Sequence, residues 1–73
     1  MVMLSGKQIL ALREFLQLSR TELAAKLGVS EGAVCRWELG RTHPRWEAME
    51  TLNIMIGEAE TKGFKLPKEK QPA

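Results

Sequence analysis

Between positions 20 and 45 lie five basic side chains, Arg20, Lys26, Arg36, Arg41 and Arg45, against the acidic Glu22, Glu31 and Glu38. Guanidinium and ammonium groups in such a run pair with phosphate oxygens, and an arginine fork also matches the O6 and N7 acceptors of guanine. The formal net charge of the 73-residue chain is only +2, so the molecule as a whole is not a polycation. The residues point instead to a local basic face suited to the backbone and edges of a nucleic acid.

Other chemistries find little to work with. No paired carboxylates, nucleophile triad or glycine-rich phosphate loop can be assembled, so no enzymatic activity is expected and no cofactor is implied. Cys35 is the single cysteine, which rules out an internal disulfide. With His43 as the single histidine, no metal-ligand set is expected. A redox role for Cys35 would need an activated thiolate, and no neighbour in the sequence supplies one. Glu22 reads as a helix-capping residue rather than as an acid catalyst.

These side chains need a scaffold, and composition bounds it. The chain is 44% hydrophobic and 27% charged, proportions of a folded rather than a disordered chain. Its bulky apolar residues are mainly Leu, Met and Ile, with Phe15, Trp37, Trp46 and Phe64 as the aromatics, an inventory suited to packed helices in one modest domain. No stretch approaches the length of a membrane span, and the opening MVMLSGK lacks the apolar core of a secretory leader. A cytoplasmic location is the expectation.

Capping grammar places the helices. Ser5 with Gln8, flanked by Leu4 and Ile9, predicts a first helix running to about Gln17, with Ile9, Leu12 and Leu16 on its inner side. Ser19 with Glu22, flanked by Leu18 and Leu23, starts a second, which Gly28 ends. Ser30 starts a third over Glu31 to Leu39, with Val34 and Trp37 turned inward, Gly40 as its stop and Ala33 where a reciprocal Glu or Gln would stand. Gly32 in its first turn lowers helix propensity by about 1 kcal/mol, acceptable where another backbone approaches closely, although it can also be incidental. Pro44 suits the first position of a fourth helix, with Thr42 or His43 as cap. Trp46, Met49, Leu52, Met55, Ile56 and Ala59 line that helix to about Glu60, and Gly57 leaves room for a break into a fifth turn. The domain is expected over residues 1–62, with an exposed C-terminal tail over 63–73 whose Phe64 and Leu66 could dock on the domain or on a second subunit.

Two short helices joined by a glycine turn are what major-groove reading requires: one helix enters the groove and the other fixes its angle. At this point the run LSRTELAAKLGVSEGAVCRWELGRTHP resembles the Cro/C1-type helix-turn-helix family of phage repressors and small bacterial regulators. The resemblance rests on Glu22-Leu23-Ala24, Leu27-Gly28-Val29-Ser30, Val34, Trp37-Glu38, Gly40 and Pro44, and extends over about residues 6–57. It implies an all-α domain of four to five helices that binds double-stranded operator DNA as a symmetric homodimer.

The resemblance also implies roles. Arg36, Glu31 and Gly32 would occupy base-facing positions of the third helix, although Gly32 offers no side chain and Glu31 could accept from cytosine N4. Arg20 would reach the DNA backbone, while Arg13 and Glu38 would form a buried ion pair as scaffold. From the residues alone, Arg41, Arg45 and Lys26 are further candidates for phosphate. Met55, Ile56, Ala59, Phe64 and Leu66 make a candidate dimer surface, with a single-subunit core as the alternative. The functional expectation is a transcriptional repressor acting on a short palindromic operator. The alternatives are an antitoxin-like module that binds a toxin protein, and an accessory DNA-binding protein without an operator.

Overall fold

The computed structural model of the chain describes residues 3–68. Among these it contains four helices and no strand: α1 (Gly6–Phe15), α2 (Arg20–Leu27), α3 (Glu31–Glu38) and α4 (Trp46–Glu60). The expected all-α architecture is present. The α2 and α3 helices pack against each other most extensively, α1 lies against α3, and α4 closes the far side against α1 and α2.

Each of the first three helices begins on its serine. Gln8 N–H donates to Ser5 Oγ at 3.2 Å while Ser5 N–H donates to Gln8 Oε1 at 2.9 Å. Around α2 the reciprocal distances are 3.0 Å, from Glu22 N–H to Ser19 Oγ, and 2.8 Å, from Ser19 N–H to Glu22 Oε1. Ser30 Oγ accepts from Ala33 N–H at 3.1 Å, and Ala33 returns nothing. Such bonds satisfy donors that the first helical turn leaves free, each contributing about 1 kcal/mol.

The helix ends share one closure. At α1, Gln17 N–H donates to Glu14 O and Leu18 N–H to Arg13 O, with Gln17 in the left-handed region at φ 57°. This Schellman closure ends α1 at Phe15, earlier than the expected Gln17. The same bond pattern recurs after α2, α3 and α4, with Gly28, Gly40 and Gly63 as the left-handed residues.

At Gly63 the closure has a consequence for the C-terminal stretch. Phe64 N–H donates to Ala59 O at 3.1 Å, which turns the chain back onto the domain. Phe64 is thereby buried, its ring centroid 5.0 Å from that of Phe15. Gln8 Nε2 then donates to the Pro67 carbonyl at 2.7 Å, and Leu66 is half-buried. The tail expected to be exposed from residue 63 is therefore docked at Phe64 to Pro67; residues 69–73 lie outside the described residues.

Expectations for the start of α4 are also corrected. Pro44 is buried in the connector, two residues ahead of the helix, and Arg45 stands at the N-cap without a side-chain capping bond. At its other end the helix runs through Gly57 to Glu60 as expected, without the break for which Gly57 left room. Trp46, counted on the apolar stripe, is 66% exposed. As the first helical residue, it has a Cβ tilted toward the helix N-terminus, with no preceding turn beneath its side chain.

The core is drawn from every element: Leu4 ahead of α1, Ile9 and Leu12 from α1, Leu23 and Ala24 from α2, Val34 and Trp37 from α3, and Ala48, Met49, Leu52, Ile56 and Ala59 from α4. Ile56, Ala59 and Phe64 therefore face their own subunit's interior, and Met55 and Leu66 are only half-buried at its margin. The candidate dimer surface built from these five residues does not exist as an exposed patch. Phe64 joins the helical core from beyond the end of α4.

Candidate nucleic-acid interface

The orientation of α3 is held from beneath by an ion network. Glu38, 3% exposed, accepts from Arg13 Nε at 2.6 Å through Oε2 and from Arg13 Nη2 at 3.2 Å through Oε1. Arg13 Nη1 also donates to the Leu18 carbonyl at 3.0 Å. The expected Arg13–Glu38 pair is therefore present and ties α1, the α1–α2 turn and α3 together. Arg20 adds a third arm, its Nε donating to Glu38 Oε1 at 3.1 Å. That hydrogen bond, followed by the charges around it, holds the Arg20 guanidinium above the ordinary arginine pKa.

On the outward side, Glu31, Gly32 and Arg36 are all exposed. Glu31 Oε2 accepts from Thr21 Oγ1 of α2 at 3.0 Å. The Arg36 side chain makes no hydrogen bond or ion pair with the other described residues, and its Nη1 lies 3.3 Å from where a Cβ on Gly32 would stand. No backbone lies near that point, so close backbone approach does not account for Gly32. Its missing side chain leaves a seat along which the Arg36 guanidinium lies back over the start of the helix.

Arg36 and Arg45 are brought together. With Thr42, His43, Trp37 and Ala33 they line an open cleft of about 400 Å³ between α3 and the connector to α4. Arg41 follows directly after α3 and is exposed. Lys26 stands apart, lining a second hollow of about 320 Å³ with Leu18, Met55 and Lys62. Arg20 is on the α2–α3 side, 44% exposed at its side chain but already engaged by Glu38. Cys35 is half-buried. Among the described residues no group of three or more His, Cys, Asp or Glu is placed to hold a metal ion, and no helix is long and apolar enough to cross a membrane.

Thr21 and Gly6 are the two residues that sequence reasoning passed over. Thr21 carried no signal beyond its place in α2's first turn. A Cβ on Gly6 would lie 2.2 Å from the Trp37 carbonyl oxygen and 2.8 Å from that of Glu38. The start of α1 thus sits directly on the end of α3. Only a glycine one residue after a cap serine hinted at it.

The α2 cap carries a pH dependence. The Ser19 backbone N–H, and after it the Ser19 hydroxyl, hold the Glu22 carboxyl below its ordinary pKa. The unfolded chain then binds that proton more readily than the folded one. The contribution is fully present above the ordinary carboxylate range and is lost as pH falls through the lowered folded value. In urea titrations from about pH 7 to about pH 3, the stability advantage of the wild type over Glu22→Gln should shrink toward zero. Gln preserves the shape of the cap without the charge, so a pH-independent difference would rule this out.

No curated protein and no solved structure matches the chain. A family model does: the helix-turn-helix domain, over residues 6–53. This span holds α1, α2, α3 and the first half of α4, together with the Arg13–Glu38–Arg20 network and the exposed Glu31, Gly32 and Arg36. Covering well over half of the chain, it joins the geometry in one conclusion: the chain belongs to the helix-turn-helix domain family and carries a DNA-binding regulatory domain.

Proposed function

We propose that the chain is a Cro/C1-type transcriptional repressor that recognises a short palindromic operator as a homodimer. The observation that carries this reading is the outward face of α3, where the Arg36 side chain has no partner among the described residues and reaches back to Gly32, next in the chain to an exposed Glu31. In the major groove, Arg36 would donate to guanine O6 and N7, while Arg41, Arg45 and the free edge of Arg20 would meet phosphates. A twofold dimer would set two α3 helices about 34 Å apart on one side of the duplex. Repression would follow from occlusion of the promoter.

Footprinting on the DNA flanking the gene tests this. A short protected site should appear whose occupancy falls with rising salt, and Arg36→Ala should weaken it by about 1–3 kcal/mol while relaxing the guanine preference. Arg41→Ala and Arg45→Ala should instead weaken all duplexes alike and flatten the salt dependence. Absence of a salt-sensitive site would sink the repressor reading.

A protein partner, such as a toxin, is the second reading. Trp46 and Ile54 favour it, at 66% and 59% exposed and two helical turns apart along α4. Co-purification of a tight heterodimer that Trp46→Ala disrupts would support that role.

A further inference from the structure

We propose that Thr21 is a positioning residue that locks Glu31 as a hydrogen-bond acceptor, so that α3 reads a cytosine beside the guanine taken by Arg36. This inference rests on the DNA-reading role proposed above and adds the chemistry of its target.

Glu31 sits among cations that could neutralise it. Arg20 is close enough for the Glu31 charge to help raise its pKa, and Arg36 reaches back over Gly32, the residue next to Glu31. Yet the ion pairs among the described residues join Arg13 and Arg20 to Glu38, and Glu31 takes part in neither. Its bond is to a neutral partner, the Thr21 hydroxyl, at 3.0 Å through Oε2. Oε1 remains an open acceptor. The bond to Thr21 ties Oε2 across the α2–α3 turn and leaves Oε1 for the base.

The result is an acceptor and a donor five positions apart on α3, the donor reaching back over Gly32 toward the start of the helix. The carboxylate suits the N4 amino group of cytosine, and the guanidinium suits O6 and N7 of guanine. Gly32 gives the guanidinium room, since a Cβ there would stand 3.3 Å from Arg36 Nη1 and require it to shift slightly. The target implied is a duplex in which a cytosine to be read by its amino group neighbours the guanine.

Unbiased selection of bound duplexes at fixed salt, performed with the wild type, Thr21→Val and Thr21→Ser, tests the assignment. The wild type should enrich a guanine with an adjoining cytosine. Thr21→Val keeps the shape and removes the hydroxyl; it should lose the cytosine preference by about tenfold and keep the guanine preference and the melting temperature. Thr21→Ser should restore the wild-type selection. Thr21→Ala, which removes the hydroxyl without branching, should repeat the valine result if packing lowers the stability of Thr21→Val. An unchanged cytosine preference in Thr21→Val and Thr21→Ala overturns the positioning role while leaving the DNA-reading role standing. Failure of the wild type to enrich any sequence overturns both.

Discussion

Replacing Glu38 by alanine is expected to destabilise the domain by about 3 kcal/mol, a large fraction of what a chain of this size has to lose. The carboxylate is 3% exposed and receives Arg13 through two nitrogens and Arg20 through one. Its removal leaves Arg13, 15% exposed at its side chain, facing Arg20 with no anion between them. Partial access of Arg13 to water places the cost at the lower end of the range for breaking a buried pair. Arg20→Ala should cost far less than Glu38→Ala, because its side chain is 44% exposed and Arg13 still satisfies Glu38. Urea titrations of these variants, with Arg13→Met and the Arg13→Met/Glu38→Leu double variant, would separate loss of the pair from the burden of an orphaned charge. Equal losses from Glu38→Ala and Arg20→Ala would show that the network does not support α3 as described.

The second large effect is expected at Gly6, where alanine should lower stability by about 2 kcal/mol, or roughly 10 °C in melting temperature. Both atoms closest to the added methyl, the Trp37 and Glu38 carbonyl oxygens, are backbone and cannot swing aside. Relief requires α1 and α3 to separate, which also stretches the Arg13–Glu38 pair. The contact itself sets the positive end of the α1 dipole against the negative end of α3. Gly57→Ala is the control with opposite sign. That glycine lies inside α4, one turn from its end, with nothing near its added Cβ, so alanine should stabilise by about 1 kcal/mol through helix propensity and a less flexible unfolded chain. A thermal melt that moves the same way for both substitutions would show that propensity, not contact, governs Gly6.

The helices and their starts were legible because capping is local chemistry. Ser5 with Gln8, Ser19 with Glu22, and Ser30 alone announce three helix starts within four residues of sequence, and each bond is present. Gly28 and Gly40 likewise mark their turns in advance. Gln17 did not mark its own, because a non-glycine residue takes the left-handed region there and nothing local signals it. The Arg13–Glu38 pair was anticipated from family resemblance and not from spacing, since it spans 25 positions. Arg20 was expected to reach the DNA backbone; that the Glu38 carboxylate also engages its Nε was decided by two helices meeting.

What the sequence determined by itself is therefore the order and approximate bounds of the helices, and the set of side chains that α3 carries. Tertiary structure decided how those side chains are used. It folded Phe64 inward through the Gly63 turn and so removed Ile56, Ala59 and Phe64 from any shared surface. It bared Trp46 and Ile54 instead, pressed Gly6 onto α3, and set the Thr21 hydroxyl on Glu31. The division has a physical reason. Caps and apolar periodicity act over a few residues, where neighbours in the chain are neighbours in space. Burial, helix-to-helix contact and carboxylate pairing depend on distances that only the packed domain defines.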